Sequence, residues 1–577
     1  MTESLAREGG RDDSSALSRR TFLRLGTGAA TLTAFGGVQF LLQACTSLPA
    51  APGGAAAPTA RPGSAPAPSG AVKLPTYVPL AAVKADLPGS ESIPDGYLAY
   101  PKSTFKSVTT TPGSGGDVSW MTYTIVANAP LEDNPAWQEV NKQVGATLRM
   151  QLTPFADYTA RLQTVLAGGD LPDVVYMPTV QPEQAQLLQA KFADLTQYLS
   201  GDAVKDYPNL ANLPTTSWKH TVFNNAIYAV PTAYMRFFWM LWNRQDMLEQ
   251  AGVAPPTNAD EFKRALAQLT RAQSGTWGIA SHVNNSFDVW SPTGGMYAAM
   301  FGAPNQWSDA GGKFTRTFET DQFRAAVGFA RDLYAAGVYQ PDSLTWTILQ
   351  KRTNFEGGKF AYEFDGMTIN LWNNARKASA SVKLRQPVPP PADGSQGHYW
   401  YGPGLFGFTA IRKAAPERIK EILRIMNYLA APIGSEEYLL THYGVKGVDY
   451  ELDDKGNPTL TDKGQADTMP WGAGTVTVPN PPQTLFNPVD PEFARVIQGD
   501  QKTMDAVGVA DPSIGLYSNT NANKGNLLNQ AMLDGLAEVV KGAQPLTYLD
   551  QLVKDWKANG GDQIRTELEQ ARAAAAA

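Results

Sequence analysis

From residue 118 onward, apolar residues recur with strand or helix periods, and the changes of period mark the elements. "VSWMTYTIV", 118–126, is rich in β-branched and aromatic residues and reads as a buried strand. Asp133-Asn134-Pro135 puts a capping side chain before a proline suited to a first helical turn, predicting a helix to about Val144. "ATLRMQL" predicts a second strand, "DYTARLQTVLA" a helix stopped by Gly168-Gly169, and "DVVYM" a third strand. This alternation implies a parallel sheet covered by helices. The pattern changes in "AIYAVPTAYMRFFWMLWNRQDMLEQAG", 226–252, which predicts a long aromatic strand leading into a short helix at about 244–251. Two amphipathic helices follow. One lies near 258–273, with Phe262, Ala265, Leu266 and Leu269 on one face. The other lies near 321–336, with Phe323, Val327, Ala330 and Tyr334 aligned and Gly337 as its stop. "DAGGKF" (309–314) and "DDKGN" (453–457) read as hairpin turns.

The N-terminal part follows a different logic. Ser18-Arg19-Arg20-Thr21-Phe22-Leu23-Arg24 is a twin-arginine sequence, and an uncharged Gly/Ala/Thr-rich stretch runs from Leu25 to Leu42. Together they read as an export signal over 1–44. Leu42-Gln43-Ala44-Cys45 resembles the lipobox of bacterial lipoproteins, which implies cleavage before Cys45 and acylation of its thiol. Cys45 is the sole cysteine of the 577 residues. Residues 46–70 are Ala, Pro, Gly, Ser or Thr except Leu48 and Arg61. That composition cannot bury enough apolar surface to order itself, so it is expected to be a tether, reaching on the order of 80 Å at about 3.1 Å per residue. Residues 71–117 are expected to wrap the domain surface without regular structure.

Charge and chemistry then narrow the reading. Residues 1–44 hold five Arg and four acidic residues, so the remainder carries 43 basic and 50 acidic groups, a net charge of −7. A mildly acidic chain lacks the basic footprint of a nucleic-acid binder. No later run is apolar for long enough to cross a membrane. His220, His282, His398 and His442 are far apart and form no metal-binding spacing, and no G-x-S-x-G elbow appears. Gly357-Gly358-Lys359-Phe360 lacks the spacing and hydroxyl of a phosphate-binding loop and reads as a turn. Glu451, Asp453 and Asp462 around Gly456 echo a calcium loop only faintly, since Lys455 occupies a ligand position. No metal or cofactor is expected. Glu363 and Asp365 form a weak candidate carboxylate pair, for which a buried or cleft-lining role is the better reading.

Several segments in order resemble the extracellular solute-binding proteins of ABC importers, family 1, in the large lipoprotein branch that includes alginate-oligosaccharide binders. They are "LAGGDLPDVVYM", "AVPTAYMRFFWMLWNRQDMLEQAGVAPPTNADEFKRAL", "FEGGKFAYEFDGMTINLW" and "YGVKGVDYELDDKGNPTLTDKG", and the resemblance covers roughly 118–560. It implies an α/β, two-lobed periplasmic-binding-protein-like fold of type II with the ligand cleft between lobes. Lobe one is expected to take 118–233 and 405–443, and lobe two 236–402 and 446–577. The implied function is a lipid-anchored, non-enzymatic, monomeric receptor outside the cytoplasm. It captures a sugar or oligosaccharide and delivers it to ABC permease subunits, with the membrane reached through lipid on Cys45. A polysaccharide-active enzyme and a surface sensory or adhesion protein are the alternatives.

The residues expected to face the cleft are Asn128 and Asn134 after the first strand, and Tyr234 and Arg236 at the crossover. Trp290 and Trp346 are expected in lobe two, Asp365 and Trp372 after the Gly-Lys strand, and Tyr399, Trp400 and Tyr401 before the second crossing. Trp471 is expected at the mouth. Aromatic rings stack on pyranose faces while amides, carboxylates and Arg bond hydroxyls. On this reading Trp400→Ala weakens binding without unfolding the chain. "FFWMLW", 237–242, is expected to be core, because alternate residues of a strand bury one face.

Overall fold

The computed structural model describes residues 72–79, 82–124, 131–178, 180–282, 286–292, 294–366, 369–468 and 479–576. Asp117–Thr124 (β1), Thr147–Pro154 (β2), Val174–Met177 (β3) and Ala229–Ala233 (β4) come first along the chain. Trp239–Arg244 (β5), Trp277–Ile279 (β6), Phe360–Gly366 (β7) and Leu384–Arg385 (β8) follow, and Leu405–Ile411 (β9) returns. They form two separate sheets, ordered β2-β1-β3-β9-β4 and β8-β5-β7-β6.

In the first sheet β1 pairs parallel with β2 and β3, and β9 runs antiparallel between β3 and β4. A parallel sheet is covered on both faces, so its central strand is apolar on both. Val118 and Trp120 of β1 enter one core with Trp137, Val140 and Leu148. Met121 and Tyr123 enter the opposite core with Tyr158, Val175 and Met177. Pro135–Val144 (α1) starts where Asn134 Oδ1 accepts Trp137 N–H at 3.0 Å and ends at Gly145, whose φ of 72° suits a glycine. Phe155–Gly168 (α2) packs Tyr158, Leu162 and Leu166 on the other face.

The second sheet is mixed. β5 is antiparallel to β7 and β8, and β7 is parallel to β6. Gln245–Ala251 (α3) follows β5 directly. Ala259–Leu269 (α4) is capped by Asn258 and buries Phe262, Ala265, Leu266 and Leu269. Asp321–Ala335 (α5) is capped by Thr320 and buries Phe323, Val327 and Ala330, with Tyr334 on the rim at 37% exposure. Ile348–Glu356 (α6) leads into β7, and Asn519–Val540 (α7) packs against α5. Residues 309–314 and 453–457 turn antiparallel hairpins.

Three expectations need correction. The run of 226–243 is not one strand: Ala226–Ile227 pairs with Val222–Phe223, and β4 and β5 lie in different sheets because Tyr234–Phe238 crosses between them and bonds to the other crossing segment. Residues 450–468 do not join lobe two: their hairpin and the helix Asp462–Thr468 pack on α1 and on Glu436–Tyr443, beside the first sheet. Residues 72–79 and 82–116 do more than wrap the surface. Val72, Leu74, Val78 and Val108 pack on the first core, Tyr97 and Tyr100 are buried, and Gly96–Tyr97 pairs parallel with Leu485–Phe486.

Candidate functional site

Two segments cross side by side between the sheets. Gly402 N–H donates to Arg236 O (2.7 Å), and Tyr234 N–H donates to Gly404 O (3.1 Å). Glycine is needed at 402, where a Cβ would lie 2.3 Å from Phe238 Cβ. Ser217 Oγ donates to Gly404 O at 2.6 Å, fastening the crossing to the first lobe. The Arg236 guanidinium sits 3.7 Å above the Tyr401 ring, and the Tyr401 hydroxyl donates to Asp505 Oδ1 at 2.5 Å. A third link comes from the approach to α7: the Tyr517 ring meets Phe223 edge-on at 5.9 Å, and its hydroxyl accepts from Gln184 N–H at 3.1 Å.

The crossing carries a continuous series of aromatic rings. Trp239, the first residue of β5, stacks near-parallel with Phe364 (5.9 Å, 26°) and with His282 (6.5 Å, 17°). Phe238 lies 6.0 Å from Trp239, Tyr234 lies 5.3 Å from Phe238, and Phe406 of β9 lies 5.4 Å from Tyr234. Phe238, Trp239, Tyr234 and Phe406 are only half-buried. The series therefore runs from lobe two to lobe one with ring surface still open.

Behind it lies a buried charge network. Glu363 and Asp365 are two residues apart on β7 and so share a face, where Lys351 and Arg352 of α6 meet them. Arg352 Nε and Nη2 donate to the two oxygens of Asp365 at 3.0 and 2.6 Å, a bidentate pair. Lys351 Nζ donates to Phe364 O at 2.6 Å and lies 3.4 Å from Asp365 and 3.9 Å from Glu363. The side chains of Lys351, Glu363 and Asp365 are wholly buried, whereas that of Arg352 is 24% exposed.

Burial pushes the Glu363 carboxyl up to about 8, against the pull of Lys351. Burial also pushes Asp365 up, but Lys351 and Arg352 outweigh it and hold this carboxyl below the usual range. Burial, reinforced by Lys351, lowers His282 to about 4. Lys351 also feels the buried Asp288, so the two cations of the group face the carboxylates of Asp365 and Asp288 besides Glu363. Of its two cations, Arg352 alone reaches solvent. As a carboxylate pair for glycoside hydrolysis, Glu363 and Asp365 are badly placed, because neither is exposed to a substrate.

The expected site residues divide into three sets. Tyr234, Arg236, Asp365, Tyr399 and Tyr401 come together at the crossing. The Tyr399 ring packs on Phe237 and its hydroxyl donates to Trp239 O at 3.1 Å. Five others lie elsewhere, for identifiable reasons. Asn134 is spent as the α1 cap, and its Nδ2 donates to Asp467 O at 2.7 Å. Trp290 is a core residue whose indole N–H donates to Gln306 Oε1 at 3.2 Å. Trp372 is core, donating to Asp490 Oδ2 at 2.9 Å. Trp400 is core, donating to Ala303 O at 3.1 Å. Trp346 packs its ring at a tilt on Phe360, at the opposite end of β7 from Asp365 and Gly366. Asn128 and Trp471, with Cys45, lie outside the described residues.

Trp239, His282, Lys351, Arg352 and Phe364 are absent from the expected set. Trp239 falls in the run read as core, and the structure buries Phe237, Met240, Leu241 and Trp242 but leaves Phe238 and Trp239 half-open. The available signal was the Glu-x-Asp alternation inside an apolar strand, which demands buried cations nearby. The faint calcium loop has another use: Asp453 Oδ1 accepts Lys455 and Asn457 N–H, both at 2.8 Å, and shapes its own turn.

With that geometry in place, comparison with known proteins is informative. The family model described as bacterial extracellular solute-binding protein matches residues 92–435. The chain is 24% identical to the polygalacturonan/rhamnogalacturonan-binding protein YtcQ of Bacillus subtilis (strain 168), over 80% of this chain and 92% of that protein. It is 22% identical to lipoprotein LipO of the same organism, over 79% and 92%. Its fold is similar to that of an HMO-binding, ABC-transporter-associated solute-binding protein from Bifidobacterium longum infantis. The TM-score is 0.61 at 14% identity, with 79% of this chain and 98% of that one covered.

Proposed function

The chain belongs to the bacterial extracellular solute-binding protein family, and from that premise we propose that it captures an oligosaccharide between its two lobes and hands it to an ABC importer. The observation that carries this reading is the open ring series Trp239–Phe238–Tyr234–Phe406, which spans both lobes at the crossing. A pyranose chain stacked on it touches both lobes, and contacts made on both only in the closed form bias the hinge toward closure. No bond is made or broken.

The exposed edge of Arg352 favours a saccharide bearing carboxylates. That agrees with the ligand in the name of YtcQ. The receptor is exported by its twin-arginine signal, held on the membrane by lipid on Cys45 and acts as a monomer. The lipoprotein relative LipO supports the anchor.

Calorimetry with oligogalacturonates and neutral oligosaccharides of matched length tests the reading, with each mixture analysed by chromatography afterwards. Saturable binding is expected, tighter for the acidic series and weakened by salt, with every saccharide recovered intact. Turnover of any saccharide, or no binding by any of them, overturns it.

A further inference from the structure

Lobe two holds a second concavity away from the crossing, between the Trp307–Arg316 hairpin, residues 511–518 and α7. Its volume is about 170 Å³, and Trp307, Arg316, Asp511, Asn521, Asn529 and Trp556 face it. A cavity of about 150 Å³ accepts benzene, so this one has room for a single six-membered ring.

Arg316 marks it as more than a packing gap. The residue is 8% exposed, and its guanidinium lies 5.0 Å from the Trp307 centroid and 5.4 Å from those of Trp290 and Phe318. A guanidinium has five N–H donors. Among the described residues its one acceptor is Gln306 O, at 3.2 Å from Nη1. The nearby carboxylate of Glu319 is already taken by Lys557 at 2.9 Å, Arg565 at 2.7 Å and the Arg316 backbone N–H at 2.8 Å. Buried donors are normally satisfied, and those of Arg316 face the cavity.

The rest of the lining complements this cation. Asp511 lines the cavity, and its Oδ1 accepts from Ser513 N–H (2.8 Å) and Oγ (2.7 Å). Trp307 and Trp556, core residues with ring centroids 6.0 Å apart, form its apolar wall. Asn521 and Asn529 add amides that both donate and accept. One cation and one carboxylate balance each other, so the chemistry suits a neutral ring carrying several hydroxyls; a uronate would meet the charge of Asp511.

We propose that this cavity is a separate site for one neutral monosaccharide, bonded by Arg316 and Asp511 and walled by Trp307 and Trp556. It rests on the carbohydrate reading given above. All of its walls belong to lobe two, so it is complete before the lobes close.

The test is saturation-transfer NMR and calorimetry on the full chain with D-glucose, D-galactose, D-mannose and D-galacturonate. At least one neutral hexose is expected to bind at millimolar concentration, with galacturonate at least tenfold weaker. Arg316→Gln and Asn529→Phe, the second filling the cavity from the rim of α7, are each expected to weaken hexose binding at least tenfold. Asn529→Phe keeps the buried cation, so an unchanged melting curve for it separates loss of the site from loss of the fold. Absence of hexose binding, preference for galacturonate, or hexose binding unaltered in Asn529→Phe overturns the site. If oligosaccharides still bind in that case, the receptor reading stands; if no carbohydrate of any length binds, both fall.

Discussion

Replacing Glu363 by Gln removes one ionisable group from the interior of lobe two while keeping its shape. The Glu363 carboxyl is pushed up to about 8 in the folded chain, from 4.5, because it is fully buried and Lys351, at 3.9 Å, offsets only part of that cost. Arg352, Asp365 and Glu356 also act on it. Between these two values the folded chain holds a proton that the unfolded chain releases. Unfolding free energy therefore falls as pH rises through that window: the contribution is whole below about 4.5 and lost above about 8. At about 1.4 kcal/mol per pH unit, the window amounts to on the order of 3–5 kcal/mol. His282 and Asp365 have their own pH dependence, with stability rising as pH increases through the acid range, because both are lowered in the fold. Both are present in the two proteins and cancel to first order in their difference. Urea unfolding of wild type and Glu363→Gln at pH 5 and pH 8.5 measures that difference. It is expected to be small at pH 5 and to favour the variant by several kcal/mol at pH 8.5. A difference of equal size at both pH values refutes the assignment of a protonated, buried Glu363.

Other substitutions separate site from scaffold. Trp239→Ala removes the lobe-two end of the ring series and is expected to raise oligosaccharide Kd 10- to 100-fold, about 1.4–2.8 kcal/mol, with little change in melting because the ring is half-exposed; unchanged calorimetric affinity removes Trp239 from the site. Trp400→Ala, by contrast, empties a core position that is 5% exposed and is expected to cost about 3–5 kcal/mol of stability. Its folded fraction should bind saccharide within about threefold of wild type, whereas stability unchanged in urea denaturation would return Trp400 to the surface. Cys45→Ala should shift the protein from the membrane pellet to the soluble fraction on cell fractionation, and association that still needs detergent counts against the lipid anchor.

Much of the fold is legible along the chain because local signals agree with tertiary packing. The Asn134-Pro135 start, the helix end at Val144 and the apolar rows of α4 and α5 all sit where the local signals put them. What local patterns conceal is where a strand changes sheets. Nothing in "AVPTAYMRFFWMLW" breaks the apolar run at Tyr234, and the break comes from bonds to Gly402 and Gly404, more than 160 residues away. The site suffers from the same blindness. Tryptophan is useful both as a sugar platform and as core filling, and composition does not separate the two. Trp290, Trp372 and Trp400 each bury the ring and satisfy the indole N–H internally, while Trp239, inside an apparent core run, stays half-open at a strand end. The cluster of Lys351, Arg352, Glu363 and Asp365 joins a helix to a strand, so only the carboxylate half, with its spacing of two, has a sequence signature.

Small-angle X-ray scattering of the protein, with and without a saturating oligosaccharide identified by calorimetry, tests lobe closure most directly. The account predicts a smaller radius of gyration and a changed profile when ligand is bound. A protein that is calorimetrically saturated yet scatters identically to the free form would contradict it.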